Sequence, residues 1–342
     1  MNSIPLLLKR TALGILLLAL VAACGGAIAP SPTAVPASAS ATAPTNQTLR
    51  TIRLPMGFTP SVQFAPFYVA VDKGYFAQEG LQINFDYAFE TDGVQLVGAG
   101  QLPFAVVSGE QVLLARAQSL PVVYVLAWFQ KFPVAVIAKA GSGINTPADL
   151  RGKRVGTPLL SGANFVGLEA LLAKAGVPAS SITLSAIGYN QAPALSAGQV
   201  DAAVVYSNNE PIRLTAQGQQ LSVINVADYV SLAANGILTN QDTIAKDPKL
   251  VQAFVRAFLH GLSDTIDQPA AAYTITKKYV TGLTDDALEQ KVLAATIDMW
   301  KAPRLGYSDP AAWDTTQRTL LATGLLTAPQ DLSKAFTNDF VP

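Results

Sequence analysis

From residue 51 onward, short apolar runs rich in β-branched residues alternate with longer amphipathic stretches. The short runs predict strands over 51–56, 81–87, 104–107, 122–128, 134–138, 154–157, 183–186, 202–206, 221–225 and 235–239. Helical spacing lies between them, over 67–79, 92–99, 109–118, 164–175, 191–196 and 210–216. Strands that alternate with helices predict an α/β protein with mostly parallel sheets. After about Thr239 the pattern turns largely helical, over 248–266, 269–279, 284–301 and 310–323, with a last turn near 332–336. A turn-rich break at 139–147 separates two βα series. Two α/β lobes are therefore expected, one from 49–138 with 232–342 and one from 139–231, with crossings near 132–139 and 227–235. A small molecule held between such lobes meets the carboxyl ends of both sets of strands.

The first 48 residues follow another pattern. Lys9 and Arg10 precede the apolar run 13–21, and Ala22-Ala23-Cys24-Gly25 follows it. These are the parts of a secretory signal over 1–23, and the run is short for a membrane-spanning helix. Val21-Ala22-Ala23-Cys24 resembles a bacterial lipobox, which implies that Cys24 is lipidated and becomes the first residue of the mature chain. Residues 25–48 hold no charge and no aromatic ring, so 24–48 reads as a lipidated Cys followed by a flexible linker. The expected place is the extracytoplasmic face of the cell membrane, reached through the lipid anchor.

Composition narrows the function. The 342 residues carry Lys+Arg 23 and Asp+Glu 23, a formal net charge of +0, with 13% charged and 50% apolar. That balance offers no basic footprint for a phosphate backbone, so no nucleic-acid partner is expected. Cys24 and His260 are the only residues of their kinds, which excludes a Cys/His zinc site and a disulfide framework. No Walker loop, G-x-G-x-x-G, G-x-S-x-G or H-E-x-x-H occurs. The expectation is a binder with no cofactor rather than an enzyme.

The stretch 63–81, QFAPFYVAVDKGYFAQEGL, resembles the first βα unit of the periplasmic substrate-binding proteins that include nitrate, sulfonate, taurine and thiamine-pyrimidine-precursor binders. Further matches follow in order: LVGAGQ at 96–101, TPADLRGKRVG at 146–156 and LSAGQVDA at 195–202. The region 301–313 looks like the closing helices of that family. The resemblance covers about residues 49–323. It implies a type II periplasmic binding fold, with two lobes, a cleft between them and a helical C-terminal part. It also implies a monomer that closes by hinge motion around its ligand and docks on an ABC-transporter permease. A ligand sensor with the same fold is the alternative partner arrangement.

In this resemblance the ligand contacts come from loops after the strands. The site residues it implies are Phe58, Ser61, Gln63, Phe64, Tyr68, Ser108, Glu110, Trp128 and Phe129 in the first lobe. In the second they are Ser161, Asn164, Tyr189, Asn190, Tyr206, Asn208 and Glu210. Apart from Lys131 these loops carry no cation, whereas they hold Glu90, Glu110 and Glu210. An anion would be left underpaired there. Rings and carboxamides instead suit a flat, neutral heteroaromatic, stacked between aromatics and read by amides. Two such ligands fit the family, the aminopyrimidine precursor of thiamine and riboflavin. Pyrimidine binders tend to have an Asp-Trp-Phe-Pro-Asn-like loop and a His after the first strand, and residues 57–64 read GFTPSVQF instead. The loop 60–68 looks like that of the riboflavin-binding lipoproteins of bacterial importers, so riboflavin is the expected transported ligand. Related enzymes that make the thiamine pyrimidine use His and Cys clusters. Here the one His lies in the apolar helix 250–262, and Trp300 and Trp313 are expected to be packing residues.

Overall fold

Strands form at all ten of the predicted apolar runs, and their pairing shows how the lobes are built. The computed structural model describes residues 48–342; the signal, Cys24 and nearly all of the linker lie outside the described residues. The strands are β1 (Arg50–Gly57), β2 (Leu81–Phe89), β3 (Ala105–Ser108), β4 (Val122–Ala127), β5 (Val134–Lys139), β6 (Arg154–Thr157), β7 (Thr183–Ala186), β8 (Ala202–Tyr206), β9 (Leu221–Asn225) and β10 (Asn235–Asn240). One lobe holds β1-β2 and β3-β10-β4, and the other holds the five-stranded order β7-β6-β8-β5-β9.

The expectation of mostly parallel sheets does not hold. Parallel pairing joins β1 to β2, and β6 to β7 and β8. But β5 runs antiparallel to β8 and β9, and β10 runs antiparallel to β3 and β4. The cause is the crossing itself: β5 enters the second lobe from the first and β10 returns, so each runs against strands fed by local βα units. Residues 134–138, assigned to the first lobe from the sequence, accordingly lie in the second lobe's sheet.

The helices are α1 (Ala65–Asp72), α2 (Tyr75–Gln78), α3 (Glu90–Gly98), α4 (Gly109–Ala117), α5 (Gly162–Lys174), α6 (Gln191–Ser196), α7 (Glu210–Ala216), α8 (Gln241–Lys246), α9 (Pro248–Asp267), α10 (Pro269–Thr276), α11 (Asp286–Trp300), α12 (Pro310–Ala322) and α13 (Leu332–Ala335). The single helix predicted over 67–79 breaks into α1 and α2 because Gly74 takes the left-handed conformation, φ 76°. The unpredicted α8 starts where the Asn240 side chain accepts from the Thr243 amide at 2.8 Å. In α9, Leu250, Val251, Phe254, Phe258 and Leu262 form one buried stripe that covers α1. His260 stands exposed on that helix, its ring edge-on to Tyr75. Trp300 and Trp313 are both fully buried, the latter donating to Ser308 Oγ at 2.7 Å. Among the described residues no helix is long and apolar enough to cross a membrane.

Candidate functional site

Strand ends from both lobes surround a cleft with about 820 Å³ of empty space, open to solvent. One wall is aromatic. Phe64, at the start of α1, stacks on Trp128 at 5.6 Å, and Phe129 meets the same indole edge-on at 4.7 Å. Trp128 and Phe129 follow β4, and their amides both donate to the Asn235 carbonyl, at 3.0 and 2.9 Å. The wall is thus pinned to the returning strand β10. Across the mouth, Tyr189 of the second lobe meets Phe58 edge-on at 4.7 Å and stacks on Phe89 at 6.0 Å, both of the first. Its hydroxyl reaches the Gly57 carbonyl at 3.4 Å.

The polar side of the cleft is built on carboxylates. Glu90 opens α3, where the free amides of the first turn favour an acid. Its Oε2 accepts from Ser108 Oγ at 2.8 Å and its Oε1 from Asn235 Nδ2 at 3.1 Å, while Tyr206 Oη donates to Asn235 Oδ1 at 3.2 Å. Loss of solvent, then the charge of Glu110, pushes Glu90 up to about 8. Burial pushes Glu110 up to about 7. Opposite them, Glu210 opens α7 and accepts from the Tyr206 amide at 3.1 Å and from Asn209 Nδ2 at 2.8 Å. Burial raises it above the ordinary carboxylate range, partly offset by those bonds. Gly109 lets this arrangement close, since a Cβ there would lie 2.4 Å from that of Ala233 in the returning segment.

Of the residues expected from the sequence, Phe58, Gln63, Phe64, Trp128, Phe129, Ser161, Asn164, Tyr189, Tyr206 and Glu210 line the cleft. The others lie elsewhere. Tyr68 is buried beneath the wall, its hydroxyl 2.8 Å from that of Tyr87 and its ring stacked on Tyr279. Ser108 and Glu110 are buried behind Glu90. Asn208 is buried against α11, where it donates to Thr296 Oγ1 at 2.8 Å. Ser61 precedes the turn that starts α1, and Asn190 is exposed and donates to its own loop at Ile187.

Asn235 is the principal residue that sequence reasoning missed. A search for loops after strands passes over it because it is the first residue of a strand. The antiparallel direction of β10 brings that first residue to the end of the sheet where the parallel strands present their last ones. Met56 and Val106 were missed for a simpler reason, as apolar residues within strands. Among the described residues no group of three His, Cys, Asp or Glu could hold a metal ion.

Residues 61–272 match the family described as NMT1/THI5 like. The chain belongs to that family. Riboflavin-binding protein RibY of Chloroflexus aurantiacus is 40% identical to this NMT1/THI5-like chain over 348 residues, spanning 98% of each. Formylaminopyrimidine-binding protein of Halalkalibacterium halodurans is 27% identical over 310 residues, 87% of this chain and 92% of its own. The periplasmic aliphatic sulphonate binding protein SsuA of Escherichia coli superposes with a TM-score of 0.68 at 16% identity, covering 83% of this chain and 96% of that one. The last likeness shows the fold alone, that of a two-lobe periplasmic binding protein. The two relatives at 40% and 27% identity to this NMT1/THI5-like chain carry the names of small-molecule binding proteins.

Proposed function

We propose that the protein captures riboflavin on the outer side of the cell membrane, held there as a monomer by a lipid on Cys24, and delivers it to an ABC permease. The observation that carries this reading is the cleft lining: a wall of stacked rings facing carboxylates and carboxamides, with no Lys, Arg or His among the lining residues. Such a site accepts a flat ring by stacking and satisfies N–H and hydroxyl donors by its acids and amides. It offers nothing to neutralise a phosphate or a sulfonate. The relative at 40% identity is a riboflavin-binding protein, which points the same way. The reading assigns binding and release, with no chemical step.

Titration of the purified protein with riboflavin, following flavin and Trp fluorescence, tests this. Saturable quenching with Kd below about 1 µM is expected, equivalent to about −8 kcal/mol or better. No saturable signal, or tighter binding of a formylaminopyrimidine, would replace the ligand. A second expectation concerns the cleft mouth. Tyr189→Ala removes the ring that touches both Phe58 and Phe89, and should raise the dissociation rate of riboflavin by about five- to tenfold with little effect on association. An unchanged dissociation rate would take Tyr189 out of the closing contact.

A further inference from the structure

Ser108 has one hydroxyl proton and two carboxyl neighbours. Its Oγ lies 2.8 Å from Glu90 Oε2 and also within hydrogen-bond reach of Glu110 Oε1. A hydroxyl donates once. With both glutamates ionised, one of these contacts would set lone pairs against lone pairs; it becomes a hydrogen bond only when a carboxyl group donates to Oγ. The geometry therefore requires one proton on the pair.

The surroundings require it too. The titratable groups that face the pair are Tyr189, Tyr206 and, across the cleft, Glu210 from the second lobe, with Tyr124 from β4; the tyrosines are neutral and Glu210 brings no positive charge. The remaining polar neighbours are Asn235 and Gln111, the latter donating to Glu110 Oε1 at 3.3 Å. Neither glutamate has an ion-pair partner among the described residues, and Glu110 Oε2 is buried with no hydrogen-bond partner. A second negative charge there would be desolvated with no cation beside it and only the hydrogen bonds from Ser108, Asn235, Gln111 and nearby amides to offset the cost.

We propose that Glu90 is a specificity-determining residue that meets the ligand as half of a singly protonated pair, the proton held with Glu110 across Ser108, and accepts an N–H from an uncharged ring edge. This deepens the flavin reading and rests on it, since an imide N–H flanked by carbonyls is the flavin edge that offers such a donor. Glu90 can be the ionised acceptor with or without the shared proton. Closing the cleft over a neutral ring, however, removes water that screens the two carboxyl groups from each other and so disfavours the second charge. The bound state therefore holds the shared proton more tightly than the free state. By linkage, the state that binds more protons loses ground as pH rises. Binding is thus retained at neutral pH and lost on the alkaline side.

The experiment is a riboflavin titration of the purified protein across pH 6 to 9.5, paired with infrared difference spectra of the ligand-free protein. Affinity should fall about three- to tenfold per pH unit once pH passes about 8, the range to which burial and Glu110 push Glu90. Glu90→Gln should flatten this limb, because an amide does not ionise. Glu110→Gln should move it about one unit toward lower pH, because it removes a repelling charge. A carboxylic-acid C=O band should be present at neutral pH and weakened in Glu90→Gln, where Glu110 is left to titrate alone near about 7. Riboflavin methylated at the imide nitrogen should bind at least about tenfold more weakly, as expected for a buried acceptor left unpaired. A flat profile in the unsubstituted protein, an unchanged limb in Glu90→Gln, or equal binding of the methylated flavin would overturn the proposal. If riboflavin fails to bind at any pH while the acid band is present, the flavin reading fails and the shared proton stands.

Discussion

Trp128→Ala is expected to lower the unfolding free energy by about 3–5 kcal/mol, the range found for emptying a large aromatic site in a core. Trp128 is 2% exposed and belongs to the core as much as to the cleft. Phe64 lies against one side at 5.6 Å and Trp300 stacks at 5.7 Å, while Phe67 and Phe129 meet it edge-on at 5.3 and 4.7 Å. Those neighbours come from α1, the segment after β4 and α11, so the indole is where three separate parts of the first lobe meet. None of them can move into the space without giving up its own packing. The backbone bonds to Asn235 remain in the variant, which keeps the loop in place and leaves the void unfilled. Riboflavin affinity should fall by more than about tenfold, because the ring that stacks with Phe64 is gone. Denaturant titration reads the first effect and fluorescence titration with flavin the second. Trp128→Phe should cost about half as much stability, since a smaller ring keeps part of the stack. A loss below about 1 kcal/mol for Trp128→Ala would show that the core closes over the site and that the indole serves the ligand alone.

Much of this architecture was legible because β-branched runs and glycine caps are local signals. Strand positions and the C-terminal helical part followed from them, whereas the residues of the aromatic wall came from the resemblance to the binding-protein family. Strand direction did not, because nothing within 134–139 or 235–240 records which lobe the chain has just left. That same non-local fact hid Asn235, whose place in the cleft depends on β10 running against its neighbours. Tyr68 and Phe64 lie four residues apart and both carry rings, yet only Phe64 lines the cleft. Tyr279, which arrives from a distant turn, stacks on Tyr68 and settles the difference. Glu90 and Glu110 both follow strands, and Glu110, not Glu90, stood among the site residues expected from the sequence, whereas Glu90 is the one that lines the cleft. Their roles separate by burial, with Glu90 at the cleft and Glu110 wholly buried behind it.

Arg213→Ala is expected to cost about 2–3 kcal/mol of stability and to weaken riboflavin binding as well, although Arg213 does not line the cleft. Its guanidinium holds Glu289 of α11 through two bonds, Nη1 to Oε1 at 2.6 Å and Nη2 to Oε2 at 2.9 Å. The Glu289 side chain is 6% exposed, so removing the arginine leaves a carboxylate buried without its partner. Full burial of both partners would put the loss at about 3–5 kcal/mol; the Arg213 side chain is 31% exposed, which places it lower. The same guanidinium continues toward the cleft. Its Nε donates to Asn209 Oδ1 at 2.7 Å, Asn209 donates to Glu210 Oε1 at 2.8 Å, and Glu210 lines the site. A contact between the second lobe and the C-terminal helical part therefore fixes the orientation of a binding carboxylate. Arg213→Lys separates the two effects, since a lysine restores charge opposite Glu289 without the planar fork that reaches Asn209 as well. It should recover part of the stability while affinity stays about three- to tenfold below that of the unsubstituted protein. Equal recovery of both would mean that Asn209 holds Glu210 without help from Arg213, and the path from the lobe contact to the cleft would end at the ion pair.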